Sequence, residues 1–144
     1  MHQTTFTHPS KIQRSWHETS AKNQVLGRLA ARVAKVLMGR TKADWTPHVD
    51  NGDFVIITDA DAVAVTGNKL GTHIYRFHSG YFGGLTLMPL GKLKEKHPER
   101  VIELAVKRML PKTVIGRHML KRLKVYKGAT HPHVAAQPKP LPAL

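Results

Sequence analysis

The 144 residues of this chain include no cysteine, which excludes disulfide scaffolds, thiolate zinc sites and thiol nucleophiles and fits a reducing compartment. No apolar run approaches the roughly 18–20 residues of a membrane span, so no membrane partner is expected. Acidic residues are scarce and unevenly placed: 9 Asp and Glu stand against 23 Lys and Arg, and none follows Glu103. Lys and Arg are in turn absent between Ala43 and Asn68, the window that holds Asp44, Asp50, Asp53, Asp59 and Asp61. Enzyme motifs are missing too. Gly91-Lys92 has neither the upstream glycine nor the following Ser or Thr of a phosphate-binding loop. Gly80, Gly83 and Gly84 lack the dinucleotide spacing, no convincing strand leads into them, and no Gly-x-Ser-x-Gly elbow occurs. Asp59 and Asp61 are the best carboxylate pair, but after an apolar strand they read as turn and cap residues. Ten histidines remain; without Cys or a His-Glu-x-x-His helix, neither His131 with His133 nor His73 with His78 makes a convincing metal site. No cofactor, metal or small-molecule substrate is expected.

What the chain does have is positive charge, +14 net, where a magnitude of about 2–8 suffices for solubility. After Glu103 come Lys107, Arg108, Lys112, Arg117, Lys121, Arg122, Lys124, Lys127 and Lys139, with no carboxylate among them. Met109, Leu110, Ile115, Met119, Leu120, Leu123, Val125 and Tyr126 interleave with these cations, enough apolar surface for the segment to fold. A folded element with an unpaired cationic face calls for an outside anion, and the phosphate backbone of nucleic acid is the commonest. The plainer reading is a solvated face that only confers solubility.

The length suits one domain with a real core. Phe54-Val-Ile-Ile-Thr58 is apolar on both faces and reads as a central strand of a parallel sheet. Val63 to Thr66 is a second candidate strand, and Trp16 to Ser20 a poorer opening one. Leu26, Leu29, Ala30, Val33 and Leu37 recur at helical spacing, with Arg28, Arg32 and Lys35 on a different face and Gly39 as the stop. A second helix begins at Pro98 and ends before Pro111, with Glu99 in its first turn and Lys107 and Arg108 at its negative end. A short third helix is expected from about Gly116 to Leu123, then a last strand at Lys124 to Tyr126. Helices alternating with short apolar strands point to a layered α/β domain over residues 15–130. Residues 1–14 read as a flexible leader with no secretory signal, and residues 131–144, rich in proline, as an extended tail.

One loop invites contact. His78-Ser-Gly-Tyr-Phe-Gly-Gly84 combines glycines that let backbone come close with the flat faces of Tyr81 and Phe82, and Lys69 and Arg76 bracket it with charge. The alternative is a surface loop whose aromatics fold back on the domain.

Several blocks together resemble the bacterial large-subunit ribosomal protein thirteen family. They are Leu26-Gly-Arg-Leu-Ala30, Trp45-Thr-Pro-His-Val-Asp50, Gly52-Asp-Phe-Val-Ile-Ile57, Val63-Ala-Val-Thr-Gly-Asn-Lys69, His78-Ser-Gly80, Gly83-Gly84 and His97-Pro-Glu-Arg-Val-Ile-Glu103. The most specific is Met109-Leu-Pro111 with Gly116-Arg117 and Leu123-Lys-Val-Tyr-Lys-Gly128, and His131-Pro-His133 and Gln137-Pro138 match the tail. The resemblance implies a single three-layer α/β/α domain around a small, mainly parallel sheet, without enzymatic activity. It implies a place in the large ribosomal subunit, in the cytoplasm or in an organelle of bacterial descent. The implied partners are large-subunit ribosomal RNA, bound early in assembly, and neighbouring ribosomal proteins. RNA contacts are then expected from Lys42, His48, Lys69, Arg76, His78, Ser79, Gly80, Tyr81, Lys107, Arg108, Lys112, Arg117, Lys121, Arg122, Lys124, Lys127, His131 and His133. Two positions depart from the family pattern. Polar His17-Glu-Thr-Ser20 follows Trp16 where an apolar strand is usual, and Arg108 precedes Met109 where many relatives carry Gly. A free nucleic-acid-binding regulator and a nucleotide-using enzyme remain open at this level. A stable pool outside ribosomal particles would mark the first, and a thermal shift with nucleotide and divalent metal the second.

Overall fold

The computed structural model describes residues 7, 8, 10 and 12–142; residues 1–6, 9, 11, 143 and 144, which belong to the expected leader and tail, lie outside the described residues. The architecture is α/β with a small parallel sheet, as its apolar central run predicts. β1 (Trp16–Ser20), β2 (Phe54–Thr58), β5 (Leu123–Val125) and β6 (Lys139–Pro140) form that sheet in the order β5-β2-β1-β6, every neighbouring pair parallel. β2 is its heart because Val55, Ile56 and Ile57 are all completely buried. Each such side chain contributes about 1.5–3 kcal/mol of apolar burial.

Helices cover one face of the sheet. α1 (Leu26–Leu37) turns Leu29, Ala30, Val33, Val36 and Leu37 inward and leaves Arg28 and Lys35 outside. It ends at Gly39, which takes φ +75°; a β-carbon there would stand 2.9 Å from the carbonyl oxygen of Asn51. Both the backbone angle and the close approach require glycine. α4 (Pro98–Met109) has its proline in the first turn and carries Lys107 and Arg108 in its last. α5 (Val114–Lys121) starts two residues earlier than Gly116, because the Thr113 hydroxyl accepts from the Gly116 N–H at 3.3 Å and caps it. Val55 and Ile57 share one apolar cluster with Leu29, Val33, Leu37, Ile102, Val106, Met119 and Leu123.

The face that carries Ile56 also carries Trp16, Glu18 and Phe54. The returning C-terminal chain lies over it: His131 reaches Glu18 at 3.4 Å, and the His133 ring lies 5.1 Å from the ring of Trp16. β6 then extends the sheet beside β1, with the buried Leu141 donating its N–H to the Glu18 carbonyl. The tail therefore folds onto the domain through residue 141. The polar β1 is explained in the same way. Trp16 stacks on Phe54 at 4.3 Å, His17 lies 3.4 Å from Asp53, and the Ser20 hydroxyl donates to Asp59 at 2.7 Å. His17 through its Nε2, Glu18 through His131 and Ser20 through Asp59 each have a partner, so the strand survives without apolar alternation.

Two expectations are corrected. Val63 to Thr66 is not a strand: Val63 and Ala64 make isolated bridges to Lys22 and Val25 only, because Leu26 begins α1 directly beside them. The glycine loop is led by a strand after all. β3 (Ile74–His78) and β4 (Leu85–Pro89) pair antiparallel around it, and their residues are mostly exposed, which hides the alternation that would reveal them. The short α2 (Lys69–Thr72) precedes this hairpin and α3 (Leu90–Lys96) follows it, neither anticipated from the sequence. Tyr75, Leu90, Leu93 and Val101 form a second small cluster that seats the hairpin and α3 against α4.

Candidate nucleic-acid interface

The cationic block folds into two helix ends and a turn. Lys107 and Arg108 close α4, Lys112 sits in the turn, and Arg117 and Lys121 lie along α5; all five are exposed. Among the described residues none of them has a carboxylate within ion-pair distance, so their charge faces solvent or a ligand. Lys107, Lys112 and Arg117 border a hollow of about 340 Å³ whose apolar lining is Leu110, Pro111 and Leu120. Arg108, the departure from the family pattern, has a second use. Its guanidinium lies 5.1 Å from the centre of the Tyr75 ring, tying α4 to the hairpin by a cation–π contact. Burial pushes the Tyr75 phenol above its usual value, and the neighbouring Arg108 charge opposes that rise.

The hairpin carries the second surface. Its turn is closed by the Ser79 N–H to the Gly84 carbonyl at 3.1 Å and by the Gly84 N–H to the Tyr81 carbonyl at 3.0 Å. Gly80 and Gly83 take φ +94° and +68°, and the Gly80 N–H donates to Nδ1 of His78 at 2.9 Å. This turn pushes its two aromatics outward: Tyr81 is 80 % exposed and Phe82 fully so. They do not fold back. Arg76 and His78 are exposed on the same hairpin, Lys69 at the start of α2, Lys127 just beyond β5 and His48 on the loop after α1.

Other expected contact residues are committed inside the fold. Arg122 is only 5 % exposed: its guanidinium grips both carboxylate oxygens of Asp50 and donates to the Leu37 carbonyl at 3.0 Å. Gly52 makes room for it, since a β-carbon there would lie 2.9 Å from the guanidinium and 1.8 Å from the Leu37 oxygen. The reading of the block as wholly unpaired is thus corrected at Arg122. Lys42 pairs with Asp53 at 2.7 Å and donates to the Gln13 carbonyl, while Asp53 also accepts from the Ser15 N–H. The acidic window is therefore the internal counterpart of selected cations, Arg14 among them at 3.8 Å from Asp50. His133 bonds the Tyr126 hydroxyl at 2.8 Å, His131 faces Glu18, and Lys124 is half-buried on β5. The expected contact residues do not include Phe82, although its flat face is legible beside Tyr81 in the loop, nor the exposed Arg28 and Lys35 of α1, although the separate face of these two cations is visible in the helical pattern.

Comparison with known proteins agrees along the chain. The family described as Ribosomal protein L13 matches residues 14–132. "Large ribosomal subunit protein uL13" of Thermotoga petrophila is 54% identical over 138 residues, covering 96% of this chain and 93% of its own length. The protein of that name from a Synechococcus strain is 50% identical over 141 residues, covering 98% and 94%. The one from Acidithiobacillus ferrooxidans is 52% identical over 131 residues, covering 91% and 92%.

Proposed function

This chain belongs to the ribosomal protein L13 family, and from that premise we propose that it braces the RNA of the large ribosomal subunit through the α4–α5 cations and the hairpin tip. As a member of that family it is a structural constituent of the large subunit and not an enzyme. The observation that carries the finer reading is the row of Lys107, Lys112, Arg117 and Lys121, exposed and without a carboxylate partner among the described residues. Each cation that neutralises a phosphate releases a condensed counterion, which favours binding most at low salt.

The mechanism is physical. RNA segments that must lie close repel one another, and a fixed row of cations between them offsets that repulsion. Fixing the row is the task of the fold. The Arg122–Asp50 pair anchors the end of α5 to the loop before β2, and the buried Val55, Ile56 and Ile57 of β2 give that loop a rigid base. The hairpin adds flat faces. Tyr81 and Phe82 can stack on unpaired bases, each such contact contributing about 1–3 kcal/mol. Shape and backbone charge dominate this recognition, as is usual where RNA is largely helical. A brace of this kind is most useful before the surrounding RNA has compacted, so the protein acts early in assembly.

Sedimentation tests the proposal. The parent protein should travel with large subunits through a moderate salt wash, and a Lys112→Gln, Arg117→Gln, Lys121→Gln variant should be lost at lower salt while melting normally. Equal retention of the two proteins would remove the α4–α5 cations from the RNA interface. Absence of the protein from the earliest large-subunit precursors would remove the assembly role.

A further inference from the structure

We propose that the hollow between α4 and α5 receives a single unstacked nucleobase, so that this surface reads an unpaired nucleotide and not only duplex backbone. The inference rests on the RNA-binding reading above and names the ligand of one part of that surface. Phosphates alone would need the cations and nothing else. The structure offers more: a concavity of about 340 Å³, at the lower end of the ~300–1,000 Å³ of small-ligand sites, floored by Leu110, Pro111 and Leu120. Such a floor cannot solvate a phosphate, whereas it can take the face of a base out of water, as sites for extruded bases do with apolar side chains.

The rim completes the fit. Lys107, Lys112 and Arg117 border the hollow, exposed and without carboxylate partners among the described residues. They are placed to hold the phosphates on either side of an inserted base. An apolar side chain of a neighbouring protein would suit the floor but would leave these three charges facing it unneutralised, so the rim decides for RNA. The walls are also fixed in advance. Gly116 is buried against the turn so closely that a β-carbon would stand 1.9 Å from the Pro111 carbonyl oxygen, and Thr113 caps the helix above it. Extruding a base from a stack is unfavourable, least so for one already unpaired, so the ligand is a bulged or single-stranded nucleotide.

Photocrosslinking in assembled large subunits tests this. A diazirine analogue of leucine at position 120 keeps the shape of the floor, and a benzophenone amino acid at position 81 reports the hairpin in parallel. The expected product at position 120 is a crosslink to the base of one unpaired nucleotide, with its yield falling several-fold when Lys112→Gln and Arg117→Gln are added. A crosslink to a nucleotide inside a continuous helix, a crosslink to a ribosomal protein, or no crosslink at position 120 would each overturn the proposal. If position 81 still reached RNA in those cases, the RNA-binding reading would stand without the hollow; RNA crosslinks at neither position would remove both.

Discussion

Replacing Arg122 by Ala should damage the fold, whereas replacing its neighbour Lys121 should not. The two residues are adjacent and carry the same charge, yet their surroundings are opposite. Lys121 is exposed with no ion-pair partner among the described residues, while Arg122 is 5 % exposed and binds Asp50 and the Leu37 carbonyl. Removing one member of a buried pair leaves the other charge uncompensated, at a cost of about 3–5 kcal/mol. The Asp50 side chain keeps 22% of its surface and has Arg14 at 3.8 Å, so water and this second cation take part of that load and the lower end, about 3 kcal/mol, is expected. Against a total stability of about 5–15 kcal/mol the loss is large. Urea unfolding followed by the fluorescence of Trp16 and Trp45 measures it. With an m value of about 1–3 kcal/mol per molar, the midpoint should fall by at least about 1 M for Arg122→Ala. For Lys121→Ala stability should change by no more than about 0.5 kcal/mol. Combining Asp50→Ala with Arg122→Ala should cost less than the sum of the single changes. If Arg122→Ala unfolded like the parent and instead lost RNA affinity, the internal pairing would be wrong and Arg122 would belong to the interface.

Ile56→Asp should abolish folding, since it places a charge at a completely buried position at a cost of several kcal/mol; native-like circular dichroism and melting would contradict it. Gly116→Ala should lower stability by about 1–3 kcal/mol, because its β-carbon meets the Pro111 carbonyl and α5 must move; a parent-like urea midpoint would show that the turn yields freely. Tyr81→Ala should leave the melting temperature in place, its side chain being mostly exposed, and weaken RNA binding by about 1–3 kcal/mol; unchanged affinity would return the hairpin tip to a plain surface turn.

The elements that could be read in advance are those whose apolar pattern is set by burial. Leu26–Leu37 and Pro98–Met109 carry helical periodicity, Phe54–Thr58 is marked as a strand by its shortness and its β-branched and aromatic residues, and the starts and stops of the helices lie in local residues such as Pro98 and Gly39. The hairpin of β3 and β4 escaped because Ile74, Phe77, Leu85 and Leu87 are exposed, so no periodicity marks an inner face. Val63 to Thr66 misled for the converse reason: its apolar residues are drawn in by the start of α1 and not by a sheet. Within the candidate site, composition identified the cationic block but could not divide it. Arg122 differs from Lys121 only through Asp50, far away in the chain, and Lys42 is likewise claimed by Asp53. Long-range pairing of this kind leaves no local mark. The acid-rich window between Ala43 and Asn68 was its one visible trace, since so many carboxylates beside a buried strand need cations from elsewhere.

The central claim is that the exposed α4–α5 cations neutralise RNA phosphates. Its most direct test is the slope of log affinity against log salt for large-subunit ribosomal RNA, compared between the parent and the Lys112→Gln, Arg117→Gln, Lys121→Gln variant. Removing three phosphate-neutralising charges should make the slope shallower by about 2–3, at roughly 0.7–0.9 for each, with the melting temperature unchanged. The same slope and affinity in both proteins would mean that this face is only a solvated one, and the account of the molecule as an RNA brace through α4 and α5 would be wrong.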